Sequence, residues 1–367
     1  MKTKNIFYSL LVAGLSFTAC SENNSNDDDS SIVTEEQMDI VIANYVDKTV
    51  LPTYKDMVEK VGVLKEKVDA FVSDGTAASL NAACDAWRTA REPWERSEAF
   101  LFGPADYESL DPSLDTWPLD KDGIDQMLQT LDFDQIQGNT DEAQNLRGFH
   151  TLEYLLFDGG SNKRPENVTA NEKAYMSIVA RLLKSDTDKL YKAWNEGGTS
   201  ECPTAFGEEF KKHNTTRFPS AATSINQIID GCRDIAGEVG DQKIGNPYTL
   251  YTSGKKEEGV LAVESWYSWN SLTDYTDNII SIENSYMGGR EDIREEENSL
   301  HALVASISPT VDTRVRNAIQ AAIEAINDIP APFRNHLDSK TEIEAAQEAC
   351  AELDRALLAI KATLQID

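Results

Sequence analysis

Gly148-Phe149-His150-Thr151-Leu152-Glu153-Tyr154-Leu155-Leu156-Phe157 is an apolar stretch that carries one imidazole and one carboxylate, three residues apart. On an α-helix, residues i and i+3 share a face. His150 and Glu153 therefore project side by side, while Phe149, Leu152, Leu155 and Leu156 pack inward. A polar pair in such surroundings must be paired, hydrated or bound to something. The spacing alone is not diagnostic. Asp and Glu make up 63 of 367 residues, so a given His meets an acid three positions on about one time in six. The pair gains weight only if other polar residues converge on it.

Outward from this stretch, periods of three and four dominate and sustained β-alternation is absent. Thr34-Glu35-Glu36-Gln37 has the form of a capping box. It opens a helix expected over 35–72, kinked at Pro52. Further helices are expected over 76–102 with Pro93 inside, 122–131, 141–158 around His150, 171–195, and 205–239 with Pro219 inside. Residues 240–259 carry Gly240, Gly245, Asn246-Pro247, Gly254 and Gly259 and are expected to form a loop. Helices over 261–286, 291–307, 311–327 and 341–364 complete the chain. The expected fold is all-α, two helical bundles over 34–200 and 201–367. Both halves place an aromatic, polar-studded helix late in an early helical pair, which hints at duplication. No fixed short period exists, so a solenoid is not expected.

The net charge is −29. It argues against a nucleic-acid partner, whose phosphates need a basic surface, and against avid binding to anionic lipid. It suits plain solubility or the attraction of cations. At the N-terminus, Lys2 and Lys4 precede an apolar run from Ile6 to Phe17 that is too short to span a bilayer. Phe17-Thr18-Ala19-Cys20 resembles a bacterial lipobox. That implies a signal peptide over 1–19, lipidation of Cys20, and a polar, acidic tether over 20–33. A plain secretory signal is the alternative. The acidic run after Cys20 resembles the surface-export signal of Bacteroidetes lipoproteins. Cys84, Cys202, Cys232 and Cys350 lie far apart. Cys84 and Cys350 sit in Ala-rich helical stretches and read as buried thiols, and Cys202–Cys232 is the pairing to test.

Three stretches set polar groups among aromatics. In 87–100, the residues Trp87, Arg91, Trp94 and Glu98 step by four, three and four and line one helical face. Arg91 and Glu98 there need partners, and an internal Arg–Glu ion pair is the structural reading. The second stretch is the opening one. His150 with Glu153 suits either a carboxylate-oriented imidazole or two ligands of a metal. Helix-bundle metal sites use a carboxylate and a His three apart, though with Glu first. In 264–278, Ser271, Asp274 and Asn278 share a face near Trp266 and Trp269. Such a run suits a lined polar cleft or an interdomain contact. There is no HExxH, GxSxG, P-loop or GxGxxG.

Gly148-Phe149-His150-Thr151-Leu152-Glu153 matches the GxHxxE motif of imelysin-like proteins, filed as peptidase family M75. Trp87-Arg88-Thr89-Ala90-Arg91 with Trp94, Ser97-Glu98-Ala99-Phe100 and Phe102-Gly103-Pro104 resembles that family's N-terminal segment. Trp266-Tyr267-Ser268-Trp269-Asn270-Ser271 and Asp277-Asn278-Ile279 resemble its C-terminal one. The resemblance spans about 34–364. It implies two related four-helix bundles, with the HxxE site near their interface, in exported or outer-membrane proteins. Several members are linked to iron uptake or regulation, and some are described as metalloproteases.

The expected function is capture of iron, or of a small iron-containing ligand, by an exported lipoprotein of the outer membrane, periplasmic or cell-surface, with an outer-membrane transport partner as a candidate. His150, Glu153 and Glu98 are the expected metal ligands. Arg91, Trp94, Ser271, Asp274, Asn278 and Trp269 are the expected ligand-binding residues. Carboxylate and imidazole donors suit iron, with zinc the alternative. The alternative function is a zinc metallopeptidase. A hydrolytic zinc site takes three protein ligands, an open position and a general base. Without an HExxH, binding is favoured over catalysis.

Overall fold

The structure is a computed structural model that describes residues 33–138 and 140–366. The signal segment, Cys20 and the tether up to residue 32 lie outside the described residues. The capping box forms. Thr34 Oγ1 accepts from the Gln37 N–H at 3.2 Å, and Gln37 Oε1 accepts from the Thr34 N–H at 3.0 Å. It starts α1, Glu35–Asn44. The helical path then runs through a π-helical turn, Tyr45–Val50, into α2, Leu51–Asp74. Pro52 therefore falls in the first turn of α2. There its missing N–H follows the wider turn, which takes up the mismatch a proline makes inside an α-helix.

α3, Ala77–Glu95, keeps Pro93 inside but stops before Glu98, which belongs to a 3₁₀ turn, Glu98–Phe100. Short helices follow: α4, Pro104–Tyr107, α5, Asp111–Asp115, α6, Lys121–Thr130, and α7, Asp141–Gln144. The expected single helix around His150 is broken. α8 is Phe149–Leu156, and Gly148 precedes it with φ +94°. A Cβ at Gly148 would lie 2.4 Å from the Leu114 carbonyl oxygen. Only glycine fits this backbone and this contact, which seats the start of α8 against the end of α5. A two-residue hairpin, Phe157–Asp158 with Ser161–Asn162, leads to α9, Ala170–Asn195.

The expected helix over 205–239 is two, α10, Phe206–Lys212, and α11, Ala221–Glu238. His213 and Asn214, both at positive φ, break the path. The expected loop over 240–259 is helical. A second π-helical turn, Val239–Gly245, continues α11 into α12, Asn246–Thr252, and α13 is Lys256–Leu261. Residues 262–270 are turns, and only then does α14, Ser271–Met287, begin. α15, Leu300–Ile307, α16, Pro309–Asp328, and α17, Lys340–Leu364, end the described chain. Two of the glycines read as loop formers are contact residues instead. A Cβ on Gly240 would come 2.9 Å from Cys350 Cβ, and one on Gly245 would come 2.5 Å from Gln347 Nε2, both on α17.

The architecture is all-α. α2, α3, α8 and α9 pack as a ring of four neighbours, and α11, α14, α16 and α17 as another. By its contacts α1 joins the second set, lying on α10, α11 and α15. α14 against α3, and α11 against the 3₁₀ turn, tie the sets together. Trp87, Trp94, Trp194, Tyr54 and Tyr175 are buried. The Trp87 Nε1–H donates to the Phe149 carbonyl at 2.9 Å, which holds α3 to the first residue of α8. Cys84, Cys202, Cys232 and Cys350 are all buried free thiols, so the Cys202–Cys232 pairing is not formed. No described helix is long and apolar enough to cross a membrane.

Candidate metal centre

The site is built on the last turns of α3. Arg91 is fully buried and meets four carboxylates from three parts of the chain. Glu95 Oε1, one turn on, is 2.5 Å from its Nη2. Glu264 Oε1 is 2.7 Å away and Asp274 Oδ2 is 3.5 Å away. Asp115 at the end of α5 makes the shortest contact, to Nη1. Burial opposes the guanidinium charge, but Asp115, Glu95, Asp274 and Glu264 outweigh it and hold Arg91 firmly protonated.

His150 sits in the first turn of α8, beside this cluster. Its Nδ1 is 2.9 Å from Glu153 Oε2, so the expected i, i+3 pair forms. Glu153 Oε1 in turn accepts from both the N–H and the Oγ–H of Ser268, each at 2.8 Å. Trp117 covers the imidazole, with ring centroids 4.7 Å apart. The outward nitrogen, Nε2, faces Asp115 Oδ1 at 3.1 Å and Glu264 Oε1 at 3.4 Å, with Arg91 Nη2 at 3.3 Å. Burial opposes the imidazolium, but the Asp115 charge overrides it, and the His150 pKa is raised well above its ordinary value.

One oxygen of Asp115, His150 Nε2 and one oxygen of Glu264 lie within 4.8 Å of one another. A second group, Glu95, Glu98 and Asp115, adjoins it and shares Asp115. Lys243, on the second π-helical turn, stands 3.1 Å from Glu264 Oε2, 3.7 Å from Glu98 Oε1 and 3.9 Å from Glu95 Oε2. A cavity of about 330 Å³ opens beside both groups, lined by Glu98, Asp111, Asp115, Glu238, Lys243 and Glu264 among others. Burial works against the Glu264 charge, yet Lys243, His150 and Arg91 bring its pKa down to about 2. Asp115 is held low too, with Arg91 and His150 overcoming its burial. Burial pushes Glu95 and Glu98 well up, and Asp274 to about 7.

Burial, then the nearby Asp115 charge, raise Asp111 to about 7. A carboxyl raised on folding contributes stability below its unfolded pKa and loses that contribution as pH rises through the folded value. Asp111→Asn is therefore expected to be more stable than wild type by about 1–2 kcal/mol at pH 8, after discounting for partial exposure. The advantage shrinks as pH falls from about 7 toward the ordinary carboxylate range. Urea denaturation across that range measures it.

The expected site residues divide clearly. His150 is in the donor group. Glu153 is not, because its oxygens hold the imidazole and Ser268. Glu98 lies with Glu95 and Lys243, away from His150. Arg91 is the hub, and Trp94 Nε1–H donates to Asp115 Oδ2 at 2.6 Å. Ser271 Oγ–H donates to the Glu264 carbonyl at 2.5 Å. Asp274 is gripped by Ser265 Oγ–H at 2.5 Å and Asn270 Nδ2–H at 2.6 Å. Asn278 Nδ2–H donates to Glu95 Oε2 at 2.6 Å. Trp269 is 43% exposed and lies over Gly160, outside the cavity. Sequence reasoning missed Glu95, Asp115, Lys243 and Glu264. The i, i+4 spacing of Arg91 and Glu95 was a usable signal. No spacing links the other three to His150.

The imelysin family model, filed as peptidase family M75, matches residues 50–360. The chain belongs to the imelysin family. An iron-regulated protein A from Synechococcus elongatus is 28% identical over 345 residues, covering 93% of this chain and 88% of that one. A solved structure of a candidate iron-regulated protein A precursor from Parabacteroides distasonis is 44% identical. It superposes with a TM-score of 0.88 over 92% of this chain and 97% of that one. An imelysin-like protein from Psychrobacter arcticum shares the fold at 14% identity, with a TM-score of 0.70 over 91% and 97% of the two chains. The imelysin fold is therefore common to chains of widely different sequence, and the Asp115–His150–Glu264 group is this chain's candidate for holding a metal.

Proposed function

We propose that this chain captures iron as a metal cation at Asp115, His150 and Glu264, in the service of iron uptake or regulation. The observation that carries the proposal is the convergence of the three donor atoms within 4.8 Å of one another, with Asp115 and Glu264 lining a cavity and the imidazole oriented by Glu153. A carboxylate that accepts from the inner ring N–H leaves the outer nitrogen as the donor, the arrangement common to metal-bound histidines. Two carboxylate oxygens and one imidazole nitrogen fit iron(II), iron(III) or zinc(II) better than copper(I). The raised His150 pKa means that the metal would replace a proton on Nε2, so binding would release protons. The names of two relatives, iron-regulated proteins, favour iron. Export and lipidation at Cys20 belong to the same proposal and rest on the sequence of the first twenty residues.

The hydrolytic zinc reading has one observation in its favour, three donors beside an open cavity. Calorimetric titration of the purified chain with iron(II) under argon, iron(III) and zinc(II) tests capture. One ion per chain with proton release is the expected result, and no heat with any of the three ions would sink the proposal. Chelator-sensitive cleavage of a peptide by the zinc form would favour hydrolysis instead. Membrane fractionation of cells carrying wild type or Cys20→Ala tests the anchor, which is wrong if the two partition alike.

A further inference from the structure

Besides His150, two cations already neutralise the carboxylates where a metal would sit, and they are held differently. Arg91 is closed off from solvent and gripped by four carboxylates. Lys243 lines the cavity. Its ammonium is 3.1 Å from Glu264 Oε2, on the carboxylate whose other oxygen faces His150 Nε2. Its distances to Glu98 and Glu95, 3.7 and 3.9 Å, are longer than a hydrogen bond. It is carried by the π-helical turn Val239–Gly245, a rare conformation that recurs at functional positions. Gly240 and Gly245 press that turn directly onto α17. The backbone is thus fixed, and the four-carbon stem of Lys243 is the part free to move.

We propose that Lys243 is the resident counter-cation of the site, and that the metal loads by exchange against it. The inference rests on the metal reading above. The ion takes Glu264, and the ammonium turns toward Asp111 and Glu238, which line the same cavity and carry no side-chain hydrogen bond or ion pair among the described residues. Exchange of cation for cation also sets the class of cargo. A hydrated metal cation replaces the charge it displaces. An anionic chelate, such as a metal–citrate complex, would face Glu98, Asp111, Asp115, Glu238 and Glu264 with no gain to offset the loss of Lys243.

Zinc(II), which is redox-stable, serves as the probe in calorimetric titrations of wild type, Lys243→Met, Lys243→Arg and His150→Ala at fixed pH and salt. Lys243→Met is expected to bind zinc about tenfold or more tightly, because the ammonium that competes for Glu264 Oε2 is gone and Arg91 is left as the one fixed cation beside the donors. Lys243→Arg is expected to bring the affinity back toward wild type. Zinc supplied as its citrate complex is expected to bind only as fast as free zinc is released. Adding zinc should raise the melting temperature of Lys243→Met more than that of wild type, since its metal-free state holds uncompensated carboxylates. If Lys243→Met folds only when zinc is present, that supports the exchange, and failure to fold with zinc counts against it. Wild-type binding that is lost in His150→Ala but unchanged or weakened in Lys243→Met overturns the exchange alone. No binding by either wild type or Lys243→Met overturns the metal reading and the exchange with it.

Discussion

An Arg91→Met variant is expected to lose about 4 kcal/mol or more of folding stability at pH 8, a large part of what a folded domain holds. Methionine is close enough in length to fill the space, so the loss is electrostatic rather than a cavity effect. The guanidinium stands against Glu95, Glu264 and Asp274, all buried, and against Asp115, whose side chain is 5% exposed. Removing one partner from a single buried pair costs about 3–5 kcal/mol, because an uncompensated charge is left behind. Here four carboxylates lose one cation, and only Lys243 and His150 remain to offset them. The carboxylates can escape by taking up protons. Asp274, already at about 7, and Glu95, pushed well up by burial, would do so first. The loss should therefore shrink between pH 8 and pH 5. Urea denaturation followed by circular dichroism at both pH values measures it. A loss below about 1 kcal/mol at pH 8, the scale of exposed ion pairs, would mean that the cluster does not depend on Arg91.

His150→Ala is expected to abolish metal binding while leaving the chain folded. It removes the one nitrogen donor, and the two carboxylates that remain are already shared with Arg91 and Lys243. Glu153→Gln is the more informative companion. A glutamine keeps the size and can still accept from the Nδ1–H through its carbonyl, but it lacks the charge that favours that orientation. Replacing such an orienting group typically costs about 10–100-fold in metal affinity. Ser268→Ala removes one of the two donors that position Glu153, and should weaken binding by less. If Glu153 were itself a ligand, Glu153→Gln would match His150→Ala, and Ser268→Ala would have little effect. The rank order of the three affinities, read by titration with zinc, decides between these roles.

The helices and their faces were legible because they follow local rules. The capping box at Thr34, the amphipathic run of α9 and the i, i+3 pair at His150 each need only a few neighbouring residues. The breaks were harder. The helix around His150 starts at Phe149 because Gly148 must pass close to Leu114, a contact with no local signature. Residues 240–259 carry the glycines of a loop and form helix, because Gly240 and Gly245 are small to admit α17 rather than to turn the chain. The site shows the same division. Arg91, His150 and Asp274 stood out as polar groups on apolar or aromatic helical faces. Asp115 looked like one acid among many in a Pro-rich segment, and Lys243 fell in the supposed loop. Their roles come from where the chain folds back on itself.

Arg91 meets an acid 173 residues further along the chain in Glu264 and another 183 residues away in Asp274. The donor group spans Asp115 to Glu264, so a growing chain cannot complete it until Glu264 has been made and has folded back beside Asp115 and His150. Contacts of such long range form late and slowly. If the proposed site holds a metal, only the finished molecule can take it up, and a cation met during synthesis finds no complete seat on the nascent chain.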